Sequence, residues 1–344
     1  MSEITILHLS DIHFKRNKDE DNKAFRKKVQ ERLIEAVAAH LSDHHGIDFV
    51  VITGDIAFSG KKEEYNEALM FLSDFRKVLP KEIEFLAVPG NHDVDRSKIN
   101  KFFSLHQIVK EEKIDTFLES RDDVNSFINV KFTAFRESFI DHLHPDLYQN
   151  KADYYWVKNY PNKNVSFLGL NSAWASEGDH DPTKIALGFS QAVSALDKTK
   201  DITNKILLLH HPLFNFFDLK DANKWSGEIF AKCPLILHGH VHIDNALGIN
   251  TPSASCISIG SNAVYTHDGF IGFQFIEAKF RGRELTIKVW PYRLEERNRL
   301  RFVPDTQRWE KQSGPFFEMS TSASPAKELK ETKENTKPLS IPEA

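Results

Sequence analysis

Cysteine is scarce: Cys233 and Cys256 are the only two in 344 residues, and neither stands in a CxxC pair. A disulfide-framed fold and a thiolate zinc site are both disfavoured, and a reducing, cytoplasmic setting fits best. Long apolar runs are missing as well. The N-terminal run Ile4–Leu9 is too short and too interrupted for a signal h-region, and nothing reaches the roughly 18 apolar residues of a membrane span. Neither secretion nor a membrane partner is expected. The chain also lacks an excess of charge: 45 Lys and Arg against 49 Asp and Glu give a net charge of -4, with no overall pull on polyanions. What remains is an ordinary globular composition, 40% hydrophobic and 27% charged, long enough for a large core and for one or two domains.

The first 90 residues alternate short apolar runs with amphipathic stretches. Ile4–Leu9 reads as a strand, Phe25, Val29, Leu33, Val37 and Leu41 as one face of a helix, and Asp48–Ile52 as a buried strand. A second helix from Glu63 to about Leu79 turns Tyr65, Leu69, Leu72 and Phe75 inward, and Ile83–Val88 completes β-α-β-α-β. From Lys98 to about His144 the apolar residues recur at roughly helical spacing with no convincing strand, which predicts a helical insertion, about residues 97–150. Strand-like runs return at Val165–Leu170, Ile206–Leu209, Leu235–Leu237, Ser255–Ile259, Phe270–Phe275 and Leu285–Val289, and the few intervening helices suggest antiparallel sheet. One domain over residues 1–319 and a disordered tail or linker over residues 320–344 follow from the Ser, Thr, Pro, Lys and Glu content of the end. A partner fused beyond the tail, and the oligomeric state, are left open.

Five short motifs carry metal-type ligands, each directly after an apolar run: Asp11-Ile12-His13, Gly54-Asp55, Gly90-Asn91-His92-Asp93, His210-His211 and Gly239-His240-Val241-His242. Strand ends feeding loops are where open α/β sheets place their sites. On extended backbone, alternate residues face one way, so Asp11 with His13, and His240 with His242, are expected to converge. The glycines leave room for sharp turns and a close approach to an ion. Mixed carboxylate, amide and imidazole donors suit Mn, Fe, Zn, Co or Ni better than Ca or Mg. His8 and His238 read as core or supporting groups, His211 is ambiguous beside His210, and His44 with His45 suits a helix C-terminus.

The ordered set D-x-H, G-D, G-N-H-D, H and G-H-x-H, running from Asp11 to His242, resembles the signature of the calcineurin-like metallophosphoesterase superfamily. The resemblance implies an α/β fold, a four-layer α/β/β/α sandwich of two mixed sheets here carrying the helical insertion, with two divalent or trivalent metal ions at the sheet edge. By matching positions, Asp11, His13 and His242 hold one ion, Asn91, His210 and His240 the other, and Asp55 bridges them. Asn91 and His92 face the substrate, and His92 serves near the leaving group as an acid or charge-stabilising donor. The implied reaction is hydrolysis of a phosphoester by a hydroxide bridging the metals.

The protein phosphatase branch continues G-D as G-D-x-x-D-R-G, whereas Gly54-Asp55-Ile56-Ala57-Phe58-Ser59-Gly60 lacks the second acid and the arginine. The motif wording, with His-His-Pro at 210–212, is closest to bacterial cyclic-nucleotide phosphodiesterases, so a phosphodiester or nucleotide substrate is expected. The alternative is a DNA or RNA nuclease like the repair exonucleases of the superfamily. Arg281–Arg301, where Arg297 and Arg299 accompany Trp290 and Tyr292, is the segment that would contact nucleic acid. An alternative of another class is a metal-binding sensor or scaffold without turnover. The insertion reads either as a cap over the site or as a packing surface.

Overall fold

In the computed structural model, Ile4, Ile6, Leu7 and Leu9 are withdrawn from solvent on both faces of strand β1 (Ser2–Leu9), which explains their continuous apolar run. The structure describes residues 2–15, 20–44, 46–178, 181, 184–199, 201–220, 225–242, 245–251, 254–266, 269–282, 284–295, 300–306 and 314–321. Strand β1 pairs in parallel with β2 (Phe49–Thr53), and β2 with β3 (Glu84–Val88). Helix α1 (Glu20–Asp43) buries Val29, Leu33 and Val37; helix α2 (Lys62–Phe75) buries Tyr65, Ala68, Leu72 and Phe75. The Glu64 carboxylate holds the start of α2 by accepting from the backbone of Ser59 at 2.9 Å and of Lys61 at 3.2 Å.

A second sheet contains β4 (Trp156–Tyr160), β5 (Val165–Gly169), β6 (Asn204–Leu208), β7 (Leu235–His238), β8 (Asn245–Asn250) and β9 (Ser255–Gly260), in the order β4-β5-β6-β7-β9-β8. Its four central strands are parallel and only the edges β4 and β8 run antiparallel, unlike the antiparallel reading of these runs. The crossover between β5 and β6 includes a helix of nine residues, Phe189–Asp197, and the one between β6 and β7, among the described residues, only helical segments of three to five residues, too little for a helical period to show in the sequence. The antiparallel pairing expected of the later runs holds for Phe270–Phe275 and Leu285–Val289, which fall largely in two strands of the first sheet. There β10 (Gly272–Arg281) pairs with β1 and with β11 (Glu284–Glu295), which takes β12 (Arg301–Pro304) and β13 (Phe317–Ser320). Ser320, assigned to the tail by composition, thus ends a strand, and Thr321 bonds to Leu285; residues 322–344 lie outside the described residues.

The two sheets pack face to face. Phe49 of β2 meets Phe167 of β5 at a ring distance of 4.8 Å, and the Trp156 indole donates to the Ala87 carbonyl across the interface at 2.9 Å. Between β3 and β4 the chain forms short helical segments, including Leu105–Lys110 and Ile114–Glu119. Phe135 and Phe139 of this insertion lie against Tyr65 of α2, and Phe117 against Trp174. Among the described residues no helix is long and apolar enough to cross a membrane.

Candidate metal centre

The C-terminal ends of five parallel strands, β1, β2, β3, β6 and β7, deliver all eight of the motif residues to one edge of the sandwich. Five of them do not arrive on extended backbone. Asp11 (φ 53°), His13 (52°), Asp55 (52°), His240 (71°) and His242 (52°) are left-handed, five of only seven such non-glycine residues described. The convergence of Asp11 with His13 and of His240 with His242 therefore comes from tight turns and not from strand alternation. Such conformations cost roughly 1–3 kcal/mol each and persist where the surroundings enforce them. Here the Asp11, His13 and Phe14 amides bond to the carbonyls of Gly54, Asp55 and Ile56 at 3.1, 3.0 and 2.8 Å, locking two loops together.

The glycines are required by space. A Cβ on Gly54 would stand 2.5 Å from His210 Nδ1, one on Gly90 2.6 Å from the Asp55 nitrogen, and one on Gly239 2.6 Å from Asp11 Oδ2. Only Gly54 also needs its positive φ, 92°.

Two groups of donors meet around Asp55. In the first, Asp11 Oδ1 lies 3.2 Å from His242 Nε2 and 3.8 Å from His13 Nε2 with no hydrogen bond to either, while Oδ2 is taken by the Ser10 hydroxyl and the His240 amide. In the second, Asn91 Oδ1 stands 3.0 Å from His210 Nε2 and 3.1 Å from His240 Nδ1, and Asp55 Oδ2 lies 3.4 Å from His210 Nε2. Ligand atoms fall within 4.8 Å of one another in the groups Asp11–His13–His242, Asp11–Asp55–His210, His13–Asp55–His92 and His210–His211–His240. Asp55 thus shares a group with each side.

Hydrogen-bond accounting shows that these residues fit a cation. The Thr53 carbonyl, 2.8 Å from His210 Nδ1, can only accept, so Nδ1 carries the proton and Nε2 turns its lone pair toward the oxygens of Asn91 and Asp55. Acceptors facing acceptors in a dry site need a positive charge between them. With a proton as that charge, burial opposes ionisation of His210, but Asp55 prevails and raises its pKa to about 9. Burial would likewise raise Asp55, and His210 beside it holds the carboxyl well below its usual range. A metal ion would supply the same charge, and the unpartnered, buried Asp11 Oδ1 marks the equivalent need on the other side.

His92 sits at the rim. Its Nδ1 donates to the Phe58 carbonyl at 2.8 Å, leaving Nε2 uncommitted, and its amide donates to Asp55 Oδ1 at 2.8 Å. Asp93, whose side chain the sequence reading left without a role, staples the loops: it accepts from the amides of Gly90 (2.9 Å), Ala57 (2.9 Å) and Ile56 (3.3 Å) and from the Tyr65 hydroxyl (2.9 Å). The signal was its place as fourth letter of G-N-H-D. Ser10, Thr53 and Ser172 were also missed, since hydroxyls and carbonyls beside a motif carry no signature.

His8 and His238 are core residues as expected, His8 fixed between the Thr53 hydroxyl (2.9 Å) and Gln274 (3.0 Å). His211 is fully buried, its Nδ1 3.2 Å from the Ser172 hydroxyl and its ring 4.4 Å from that of His240. Trp290 and Tyr292, read as stacking candidates, are core residues bonded to Glu277 and His40, so they are not presented to bases. His45, Arg283, Arg297 and Arg299 lie outside the described residues.

Residues 4–244 match the calcineurin-like phosphoesterase family. An uncharacterized metallophosphoesterase-like protein of Bacillus subtilis (strain 168), YydB, is 26% identical over 307 residues, covering 83% of this chain and 60% of that protein. The uncharacterized protein R555 of Acanthamoeba polyphaga mimivirus is 29% identical over 129 residues, 37% of this chain and 9% of that protein. The chain thus spans less than two thirds of either curated relative. Among solved structures, the purple acid phosphatase PPD1 of yellow lupin (Lupinus luteus) seeds has a TM-score of 0.47 at 11% identity, covering 84% of this chain and 51% of that one. Zinc-complexed Vps29 of Entamoeba histolytica has a TM-score of 0.31 at 11% identity, covering 87% and 98%. With the family match covering most of the chain and the whole motif set gathered at one edge, the chain belongs to the calcineurin-like phosphoesterase family.

Proposed function

We propose that the chain is a dinuclear metal-dependent phosphodiesterase. The observation that carries this reading is the position of Asp55, whose carboxylate shares one donor group with His13 and another with Asp11 and His210. Asp11, His13 and His242 would hold one ion, Asn91, His210 and His240 the other, and Asp55 both. The chemistry such ions supply when bound is acidification of a water and neutralisation of charge on the phosphate. The chain's own residues do the rest. The Thr53 carbonyl orients His210, and Asp93 holds the Asp55 and Asn91 loops in register. His92, with Nδ1 tied to Phe58, presents Nε2 to the ester oxygen that departs, and when protonated it donates there.

A diester is favoured over a phosphoprotein by the sequence after Asp55, where Phe58 and Ser59 replace the acid and arginine of the phosphatase branch. A nucleotide-type ester is the substrate class proposed, on the likeness of the motif wording to bacterial cyclic-nucleotide phosphodiesterases. The test is the initial rate on bis-p-nitrophenyl phosphate with and without manganese, beside Asp55→Asn. Metal-stimulated cleavage absent from the variant is expected; no cleavage with any metal would move the site to binding without turnover.

A further inference from the structure

Exposed phenylalanines cluster on the loops that carry the metal-type ligands. The exposed large apolar side chains among the described residues are Phe58, Met70, Phe102, Phe214, Leu247 and Phe270. Scattered single ones need no explanation, but three of these are placed alike. Phe58 follows Asp55 on its loop, Phe214 follows His210 and His211, and Phe270 adjoins Gly269, where an added Cβ would lie 3.8 Å from His242. All three thus lie on, or next to, segments that carry the candidate ligands.

Phe58 is the best defined. Its ring is 36% exposed, 4.9 Å from the His92 ring and 6.0 Å from that of His13, and the Lys15 ammonium lies 4.0 Å from its centroid. Its backbone is not free to move the ring away: the Phe58 amide donates to Phe14 at 2.9 Å and its carbonyl accepts from His92. An exposed aromatic ring on a held backbone, with a cation above it, thus stands beside the imidazole that faces the departing ester oxygen. A planar group attached to that oxygen can take the place of the Lys15 ammonium over the Phe58 ring, since the 4.0 Å between them leaves no layer for it while the ammonium stays, and its phosphate would then be directed at the centre.

We infer that Phe58 is a specificity-determining residue that receives a planar aromatic ring of the ester beside His92, so that the chain prefers aryl or nucleobase-bearing phosphoesters to alkyl ones. This rests on the phosphoester reading of the site. Aromatic stacking of this kind is worth about ten-fold in affinity.

The experiment titrates the full, manganese-loaded chain with phenyl phosphate and with cyclohexyl phosphate, which match in charge and nearly in size but differ in planarity. The wild type is expected to bind phenyl phosphate about ten-fold more tightly. Phe58→Leu should bring the two affinities together with the metal content unchanged, and Phe58→Tyr should keep the preference. An equal affinity in the wild type, or a ratio that survives Phe58→Leu, overturns the inference alone. Failure of both phosphates to bind the loaded wild type overturns the phosphoester reading and the inference with it. Adding adenosine monophosphate and a short single-stranded oligonucleotide separates the sources of the ring. If a free nucleotide supplies it, Phe58→Leu weakens the monophosphate and Phe214→Ala has no effect; if a strand supplies it, both variants weaken the oligonucleotide.

Discussion

His92 and Asp55 are joined through the main chain: the His92 amide donates to Asp55 Oδ1 at 2.8 Å, so the rim imidazole and the shared carboxylate move as one piece. Both sit on loops closed by Asp93, which accepts three amides from the two loops. The centre is therefore a rigid assembly in which each residue can be tested for a distinct loss.

Asp55→Asn removes the negative charge common to both donor groups. Losing an outer partner of a metal ligand costs about 10–100-fold, so losing the shared ligand should lower kcat/KM by more than about 100-fold and reduce the metal content below two per chain. Elemental analysis of the purified variant beside its initial rates checks both. Two retained metals with near-normal turnover would remove Asp55 from the bridging position.

His92→Ala should behave differently, because His92 stands outside both the Asp11–His13–His242 and the Asn91–His210–His240 sets, although one of its ring nitrogens lies within 4.8 Å of the His13 and Asp55 donors. Metal content should stay at the wild-type level while kcat falls by about 10²–10⁴, the usual range for a proton-transfer group. A smaller loss on p-nitrophenyl esters than on alkyl esters is expected, since a good leaving group needs less protonation. Wild-type turnover on both would exclude the role.

Gly239→Ala places a methyl group against the Ser10 hydroxyl and 2.6 Å from Asp11 Oδ2. Neither neighbour can retreat without losing the Ser10–Asp11 hydrogen bond. Overpacking of this sort costs about 1–3 kcal/mol, so a lower melting temperature and weaker metal binding are expected together. Thermal melts with and without manganese separate them: a variant that melts normally and still gains the full metal-induced shift contradicts the close approach.

Much of this was legible because the candidate ligands are punctuation. Asp11, Asp55, Asn91, His210 and His240 end apolar strands, and glycine precedes three of them, so the order of the site could be read without the fold. The local geometry was not legible: a left-handed Asp or His carries no letter of its own, and the turns that aim Asp11 and His242 were mistaken for strand alternation. Edge strands also escaped notice. Asn245–Asn250 begins and ends on asparagine and buries none of its six residues fully, and Arg301–Pro304 is four residues long. Strands held by pairing at an edge bury little, and periodicity sees only burial.

His40 makes acid stability testable away from the metal centre. Its ring is stacked on Phe275 at 3.6 Å, and its Nδ1 lies 3.0 Å from the Tyr292 hydroxyl. Burial, reinforced by His44 at a ring distance of 4.4 Å, lowers its pKa to about 3. The folded chain therefore keeps His40 neutral where the unfolded chain, with an ordinary value of 6.5, binds a proton. Stability from this group is fully present above pH 6.5 and is lost progressively as pH falls toward 3. The buried His8, His211 and His238, whose pKa values burial also lowers, add to the same slope and His210 opposes it, so His40→Phe should remove only part of it. Melting temperatures of wild type and variant, measured with a chelator from neutral pH to the onset of acid unfolding, should converge as pH falls. Parallel curves would mean that His40 is protonated in the folded chain, with the Phe275 stack surviving the charge.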